Sequence, residues 1–538
     1  MTDKQKELRF EQDPRSSRER MDRRSFFRGA ASLSVGGIGA SALLGQLRPN
    51  VARGADPDVD GAAAQLDSQT RRALRWAGQD PADWVRPYPG ADHNVIIVGG
   101  GQSGLGLAYG LKRKGVGRVD VIEQSPPGQA GIWRNIARMR QLRTPKTIVG
   151  PEQGNSCLGV RAWYETLHGE AAFDRLDRIP REAWADYLAW FQQVAGLKVR
   201  YRTRLLDIEP AGDLLRLHLE ADGERRTETT RKLVLANGFA GAGGPGVPDI
   251  IRKLPAQLWT HTASPIQFDA LAGKVVGVLG AGSSAFDAAA TALEHGAAEV
   301  HLYSRRAFVD YQGGAAAPSA TPPLDRGYAN FNELFHELPD EVRWRAHLQR
   351  RRRVASVPLD SIERAVAFKN FHLHLNSPWS ETAAAHGKVV VKVARKTQRF
   401  DHVIAATGYA VDLSAKPELA RIQSSISLWG DRFQPQPGEE DAAGSKSPYL
   451  GAGFEFLPRQ GTDANYLRNI HCFNLAAQLS VGLPVGDIPS VVDHPRLISA
   501  IARSLFVERV DVAAHKRFSE APQTPPDPAP YRKAMSEA

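Results

Sequence analysis

Residues 94–104 read Asn-Val-Ile-Ile-Val-Gly-Gly-Gly-Gln-Ser-Gly and set the expected fold class of this 538-residue chain. Asn94 opens an uninterrupted run of β-branched residues, Val95–Val98, which is typical of a buried parallel strand. Gly99, Gly101 and Gly104 then fill the three glycine positions of G-x-G-x-x-G. The first glycine allows a tight turn, the second lets a pyrophosphate approach the backbone, and the third lets a helix pack closely on the strand. The stretch therefore predicts a strand, a dinucleotide-binding loop and the start of a helix.

The residues that follow complete a βαβ unit. Leu105–Lys114 is predicted to form a helix whose N-terminal N–H groups face the phosphates, and Val119–Ile122 is predicted to form the second strand. Glu123 ends that strand 19 residues past Gly104, where a carboxylate can accept hydrogen bonds from ribose hydroxyls. Because all these parts occur in register, we expect a first nucleotide site here rather than a chance glycine-rich turn.

A second nucleotide site is predicted further along the chain. Lys274–Leu279 reads as another apolar strand, and Gly280, Gly282 and Ala285 follow it as a G-x-G-x-x-A variant. Alanine in the third position still allows close packing of helix on strand. A helix at Phe286–His295 and a strand at Glu299–Tyr303 would complete the unit.

The two predicted sites end differently, and this indicates different coenzymes. The second strand of the first unit ends in Glu123, whereas Glu299–Tyr303 is followed by Ser304, Arg305 and Arg306. A carboxylate would repel a 2′-phosphate, while arginine side chains bind one through charge-assisted hydrogen bonds. The first site therefore suits FAD or NAD, and the second suits NADP.

Three further markers carry a resemblance to a known family. Ala406-Thr407-Gly408-Tyr409 resembles the A-T-G-Y strand end of class B flavin monooxygenases, Val234–Gly238 is similar to the exit strand of their FAD domain, and Gly131-Ile132-Trp133 is similar to a G-x-W element near the flavin. With two dinucleotide motifs in this order, residues 90–480 resemble the two-dinucleotide-binding flavoproteins, and among them the class B flavin monooxygenases.

The resemblance implies an α/β fold of two Rossmann-like dinucleotide-binding domains, with the NADPH domain inserted in the FAD domain. The expected organisation is a signal-like segment at 1–55, the FAD-binding domain at 90–255 and 399–505, the NAD(P)H-binding domain at 256–398, and a disordered tail at 522–538. The implied FAD-binding residues are Gly99, Gly101, Gly104, Glu123 and Trp133. The implied NADPH-binding residues are Gly280, Gly282, Ala285, Arg305 and Arg306, with Gly408 as a further cofactor-binding residue.

The resemblance also implies an activity, an FAD-dependent, NADPH-consuming monooxygenase that uses O₂ on a small organic substrate. Arg143 and Lys146 lie in the segment Leu142–Lys146, where many members carry T-N-x-P-K beside the flavin, so they are the candidate catalytic residues. Arg143 stands in place of the asparagine, which keeps open a reductase or oxidase without oxygen transfer. A non-catalytic flavin-binding protein is a further alternative, because an exported protein would meet little NADPH. His261 fits the histidine of a second family motif, as a site residue or as a buried hydrogen-bonding residue.

The charge of the chain is concentrated at its beginning. Residues 1–55 hold eleven Lys or Arg and six Asp or Glu, which is half of the net charge of +10. Arg23 and Arg24 precede Phe26, Phe27 and a mildly apolar region, a pattern that resembles a twin-arginine export signal. We therefore expect export to the periplasm by the twin-arginine machinery, with a cytoplasmic location as the alternative. The apolar region is too rich in glycine and serine for a stable membrane anchor.

Other classes of function receive no support from the sequence. The remaining charge is spread over 483 residues, so we expect no nucleic-acid binding. Cys157 and Cys472 are the two cysteines of the chain and form no C-x-x-C, which excludes a dithiol redox centre and a cysteine-rich zinc site. No H-E-x-x-H or similar helical motif is present, so no metal is expected.

Overall fold

The computed structural model describes residues 57–78, 80–312, 334–352, 356–507, 516–517, 519–522 and 524–536. The predicted signal-like segment at 1–55 lies outside the described residues. Of the predicted tail at 522–538, the described part is mostly exposed and contains a short 3₁₀ turn, Arg532–Ala534.

The regular elements alternate between strands and helices over most of the described chain. The strands, in chain order, are β1 His93–Val98, β2 Val119–Ile122, β3 Val199–Arg200, β4 Thr203–Ala211, β5 Leu214–Ala221, β6 Glu224–Gly238, β7 Gly243–Pro245, β8 Trp259–His261, β9 Val275–Leu279, β10 Glu299–Tyr303, β11 Tyr311–Gln312, β12 Val357–Pro358, β13 Phe371–His374, β14 Trp379–Ala385, β15 Lys388–Val393, β16 Lys396–Phe400, β17 His402–Ala405, β18 Tyr409–Val411 and β19 Ile470–Asn474. The helices are α1 Pro57–Trp76, α2 Gln102–Arg113, α3 Val160–His168, α4 Glu170–Arg175, α5 Arg181–Val194, α6 Asp249–Arg252, α7 Ser283–Glu294, α8 Asp340–Arg352, α9 Leu359–Val366, α10 Trp429–Arg432, α11 Ala442–Ser445, α12 Gln478–Val481 and α13 His494–Val507.

The first sheet carries the first glycine motif. Its order is β3-β2-β1-β6-β5-β4, with β19 added beside β6, and β2, β1, β6 and β19 run parallel. Val95, Ile96 and Ile97 of the central strand are fully buried, as their apolar run predicted. The helix after the glycines begins at Gln102, three residues earlier than predicted, because the glycine loop passes directly into its first turn.

The second sheet is parallel and carries the second glycine motif. Its order is β13-β10-β9-β17-β8. The apolar side chains of α7 and α9 pack on one face, and the antiparallel strands β14, β15 and β16 cover the other. All five strands lie between β6 and β19 in the chain, so the second domain is inserted in the first, as the fold prediction stated.

The two chain connections between the domains run side by side. β7, on the way out, pairs with β18, on the way back, through Gly243↔Val411 and Pro245↔Tyr409. The predicted return at residue 399 is therefore too early, because β17 is the fourth strand of the second sheet and pairs with β9 and β8. The sequence pattern of a buried strand does not tell which of two sheets it joins.

Helix α1 was not predicted from the sequence. Its Leu66 and Thr70 are buried, and Asp67 accepts a hydrogen bond from the indole N–H of Trp190 on α5 at 3.3 Å. Within the described ranges, no helix combines the length and the apolar character that a membrane crossing requires.

Candidate functional site

The first glycine loop leaves an opening at its middle glycine. Gly99 has φ +113°, and a Cβ there would lie 2.4 Å from the Ala236 carbonyl oxygen. A Cβ on Gly104 would lie 1.8 Å from the carbonyl oxygen of Gly99. A Cβ on Gly101 would meet only Gly131, 3.4 Å away at its Cα. The outer glycines are therefore required by the protein's own packing, and the middle glycine leaves room for a pyrophosphate.

Glu123 lies directly beside this loop. Its buried carboxylate accepts the Gly100 N–H at Oε2 and the Ser125 N–H at Oε1, both at 2.8 Å. A carboxylate has about four acceptor positions, so two remain for ribose hydroxyls. The residues present thus fit the adenosine and pyrophosphate parts of FAD.

The predicted G-x-W element folds against the same loop. Gly131 faces Gly101, and the buried Trp133 packs edge-on against Trp184, with ring centroids 6.5 Å apart. The Trp184 indole donates in turn to Gln102 Oε1 at 3.2 Å, at the start of α2. Trp133 is therefore part of the wall that holds the glycine loop in place.

The second glycine loop repeats the geometry of the first. Gly280 has φ +118°, and its Cβ would lie 2.4 Å from the Ala406 carbonyl oxygen. A Cβ on Gly282 would have no neighbour within 4 Å, and Ala285 is fully buried. The second loop thus offers a dinucleotide the same kind of opening beside its middle glycine.

The two arginines after β10 lie at the carboxyl edge of the second sheet. Arg305 is exposed and makes no hydrogen bond or ion pair within the described part of the chain. Arg306 is half-buried; its backbone N–H donates to Ser304 Oγ at 3.1 Å and its guanidinium to the Arg352 carbonyl at 3.2 Å. Arg305 and Arg306 therefore come shortly after β10 in the second domain, at the position where Glu123 comes after β2 in the first domain.

Two buried polar atoms face this edge without partners among the described residues: His261 Nε2 and Thr407 Oγ1. His261 ends β8 and Thr407 follows β17, its neighbour in the sheet. Because His261 Nδ1 accepts the Ala263 N–H at 3.0 Å, the neutral ring carries its proton at Nε2. Burial lowers the pKa of His261 to about 4, against an interaction with the Gly408 backbone that raises it. The ring is therefore neutral and buried beside the turn at Thr407 and Gly408. Gly408, with φ +78°, follows Thr407 directly.

Arg143 joins the two domains. Its guanidinium donates to Asp287 Oδ2 at 2.9 Å, and Asp287 lies buried on α7, immediately after the second glycine loop. Ser361 Oγ donates to the other oxygen of Asp287 at 2.8 Å. Sequence reasoning missed Asp287 because nothing near it in the chain marks it as the partner of a residue 144 positions away.

Lys146, the other candidate catalytic residue, is held by backbone carbonyls. Its ammonium donates to the Phe173 carbonyl at 2.9 Å and to the Asp174 carbonyl at 3.0 Å. These contacts fix Leu142–Lys146 to α4. The catalytic role of Lys146 stays a prediction.

A cleft of about 450 Å³ opens between the two domains and is lined by many arginines. Arg138 bridges it by donating to the carbonyls of Thr262 and Ser264, both at 2.7 Å. Burial lowers the pKa of Arg138 to about 10, so it remains a cation at neutral pH. Arg181 donates to the carbonyls of Trp133 and Ala137, while its Nε is buried without a partner among the described residues. Glu182 and Glu294 also line the cleft; Glu182 pairs with Arg181, and Glu294 pairs with Arg140 and Arg364. Arg138 is therefore the main positive charge that the cleft offers to an anion.

Thiol chemistry is absent from this site. Cys157 and Cys472 are both free, and burial raises the pKa of Cys472 to about 12. Residues 96–330 match the pyridine nucleotide-disulphide oxidoreductase family, and the sequence contains no C-x-x-C pair.

Comparison with known proteins identifies the chemistry. The FAD-dependent urate hydroxylase of Xanthomonas campestris pv. campestris is 40% identical over 452 residues, which cover 83% of this chain and 93% of that protein. The fold matches ornithine hydroxylase from Pseudomonas aeruginosa (TM-score 0.58, 18% identity, 77% of this chain and 99% of that chain). It also matches the ornithine N-hydroxylase of Kutzneria sp. 744 (TM-score 0.56, 15% identity, 78% and 99%).

The prediction of an FAD-dependent monooxygenase is confirmed. It replaces the two alternatives, a reductase or oxidase without oxygen transfer and a non-catalytic flavin-binding protein. The structural matches support the fold, and the urate hydroxylase supports the activity class. The chain belongs to the class B flavin monooxygenases and is an FAD-dependent monooxygenase.

Proposed function

We propose that this monooxygenase takes its reducing equivalents from NADPH and hydroxylates urate or a closely related anionic purine. The observation that carries the coenzyme choice is the pair Arg305 and Arg306 at the end of β10, where the first domain has Glu123. The Kutzneria relative, whose structure holds reduced FAD and NADP⁺, supports the same choice.

Bound FAD would supply the redox chemistry, in which NADPH provides the electrons, one oxygen atom of O₂ enters the substrate and the other leaves as water. The chain's own residues hold and orient the reactants. Arg305 and Arg306 would bind the 2′-phosphate. His261 would support the turn at Gly408 from beneath as a buried neutral ring, because its pKa is about 4.

The coenzyme proposal is tested with Arg305→Ala combined with Arg306→Ala. Loss of charge-assisted hydrogen bonds, worth about 1.5–3 kcal/mol each, should raise KM for NADPH at least tenfold and leave KM for NADH unchanged. Arg225→Ala with Arg226→Ala, an exposed pair on β6, is the matched control. An unaltered preference for NADPH in the Arg305/Arg306 variant would contradict the assignment.

The substrate proposal rests on the urate hydroxylase relative and on the arginine-lined cleft. Urate is an anion at neutral pH, and the guanidinium groups of Arg138 and Arg181 lie in the lining of this cleft. Arg138, fixed by the Thr262 and Ser264 carbonyls, adds a positive charge that needs no rearrangement before binding.

A substrate panel tests this. Urate, xanthine, L-ornithine and L-lysine are each supplied with NADPH and ¹⁸O₂ to the FAD-loaded enzyme, and label in the product is measured by mass spectrometry. We expect label in urate.

A variant of the cleft gives a second test. Arg181→Lys should raise KM for urate about tenfold, while the rate of NADPH oxidation without substrate stays unchanged. Arg204→Gln is the control, because Arg204 forms an exposed ion pair with Glu220. Label in the amino acids alone would overturn the proposal.

We also propose that residues 1–55 direct export of the folded, flavin-loaded enzyme. Arg23, Arg24 and the mild apolar region support this. The alternative, a cytoplasmic enzyme with a basic N-terminal segment, is distinguished by cell fractionation, as set out in the Discussion.

A further inference from the structure

Two adjacent strands of the second sheet bring three metal-binding side chains to one face. Glu299 and His301 lie two residues apart on β10, and His372 lies on the edge strand β13. His301 and His372 are direct register partners in the parallel pair. Because side chains alternate along a strand, all three project from the same face of the sheet.

The donor atoms of the three side chains are already close. His301 Nε2 lies 2.9 Å from Glu299 Oε2. The His301 and His372 rings stack with centroids 4.5 Å apart, and one ligand atom from each of the three residues lies within 4.8 Å of the others. A tetrahedral zinc site with bonds of about 2.1 Å holds its ligand atoms roughly 3.4 Å apart. Small rotations of the side chains therefore close the set around an ion.

A second layer orients the central ligand. His374, two residues after His372, places Nε2 3.0 Å from His301 Nδ1 and stacks on Tyr303, with centroids 4.4 Å apart. A ligating histidine commonly donates its other N–H to such a partner, which fixes the ring orientation. With an ion at Nε2, the proton of His301 sits on Nδ1 and is donated to His374, so both ring nitrogens are satisfied.

We propose that Glu299, His301 and His372 form a binding site for a divalent transition-metal ion, with Zn²⁺ as the first choice and water in the remaining position. Two imidazoles and one carboxylate favour such an ion over Ca²⁺ or Mg²⁺, which take oxygen ligands. The side chain of Glu299 is half exposed, so an ion can enter from solvent.

The site would stabilise the NADPH-binding domain. It ties the edge strand β13 to β10, and β10 ends one residue before Ser304, from which Arg305 and Arg306 follow. Holding β13 against β10 would keep the two arginines in place for the coenzyme. The proposal replaces our expectation of no metal, which came from a search for helical motifs and overlooked His-x-His on a strand.

The test uses the tag-free, full-length, FAD-loaded enzyme and Zn²⁺ in competition with a chromogenic chelator. The wild type should bind one equivalent, and Zn²⁺ should raise its Tm. His372→Ala and Glu299→Gln should each weaken binding at least tenfold and abolish the rise in Tm, and His374→Ala should weaken binding about 10–100-fold. His218→Ala is the control, because His218 also pairs with a glutamate, Glu209, at 2.9 Å but belongs to no such cluster in the described chain.

If His372→Ala fails to fold, Glu299→Gln still tests the proposal, because the side chain of residue 299 is half exposed and the substitution preserves its shape. The FAD content of each variant shows whether it is folded. The proposal is overturned if the wild type binds no stoichiometric Zn²⁺, or if Glu299→Gln binds Zn²⁺ as tightly as His218→Ala does.

Discussion

At the scale of single residues, the two nucleotide loops use their glycines for two different physical reasons. Gly99 and Gly280 have φ near +115°, and a Cβ on either would lie 2.4 Å from a backbone carbonyl oxygen, so the fold itself forbids a side chain there. Gly101 and Gly282 are constrained by little in the protein. The absence of a side chain at Gly101 and Gly282 is therefore explained by the space that a ligand needs, and not by the packing of the protein.

This difference predicts a matched pair of variants. Gly101→Val should place methyl groups in the pyrophosphate space and against Gly131, giving protein that lacks bound FAD. Gly282→Val should keep FAD and its yellow colour, because its loop belongs to the other domain, but NADPH should no longer reduce the flavin. Visible spectra before and after anaerobic addition of NADPH check both outcomes, and a Gly101→Val protein with full FAD content would contradict the assignment of the first loop.

A second prediction at this scale concerns His494, whose buried ring lies against Gly106 of α2 and packs on Phe473, with ring centroids 5.1 Å apart. Burial lowers the pKa of His494 from its ordinary 6.5 to about 3. Between these values the unfolded chain binds a proton that the folded chain does not, so the free energy of unfolding falls as pH falls. Asp487 acts in the opposite direction, because burial raises its pKa to about 7.

His494→Gln should therefore lose less stability on acidification than the wild type. Between about pH 7.5 and 5.0 the difference should reach about 2 kcal/mol, measured by urea unfolding at both values. Asp487 is present in both proteins, so its contribution cancels in the comparison. His218→Gln, at a partly exposed position, is the control, and a parallel loss of stability in wild type and His494→Gln would show that His494 is not the group responsible.

At the scale of elements, the segment Leu142–Lys146 is anchored in two directions. Lys146 binds it to α4 in its own domain, and Arg143 binds it to Asp287 on α7 of the other. The segment therefore links the flavin domain to the first turns of α7, the helix that follows the second glycine loop. Because Asp287 is almost fully buried, this ion pair is screened less by solvent than a surface pair.

A double-mutant cycle of Arg143→Gln and Asp287→Asn should separate the structural role of Arg143 from a catalytic one. Urea unfolding should give a coupling energy of about 1–2 kcal/mol, as expected for a charge-assisted hydrogen bond with one buried partner. If Arg143 also acts on the reacting atoms, Arg143→Gln should lower the fraction of NADPH that yields hydroxylated product, whereas Asp287→Asn should not. Equal uncoupling in both single variants would assign Arg143 a positioning role alone.

At the scale of the whole molecule, the sequence could predict what depends on local pattern. Both glycine loops and Glu123 follow from residues close together in the chain, whereas the nested order of the domains was implied by the family resemblance. The domain to which β17 belongs, the Arg143–Asp287 pair and the Glu299–His301–His372 cluster depend on contacts between distant segments, which local pattern does not encode. Helix α1 was missed because its buried stripe is narrow and interrupted by charged residues.

The proposed export also concerns the molecule as a whole, because FAD is loaded in the cytoplasm and the chain must fold around it before leaving. The twin-arginine route carries folded proteins, so the proposal requires that the exported enzyme already holds its flavin. Arg23→Lys combined with Arg24→Lys keeps the charge but should block recognition and leave yellow protein in the cytoplasm. Arg18→Lys with Arg20→Lys makes the same change outside the pair and should export normally. Fractionation with flavin fluorescence measures both, and a wild type that stays in the cytoplasm would make the segment a basic extension and place the enzyme beside its supply of NADPH.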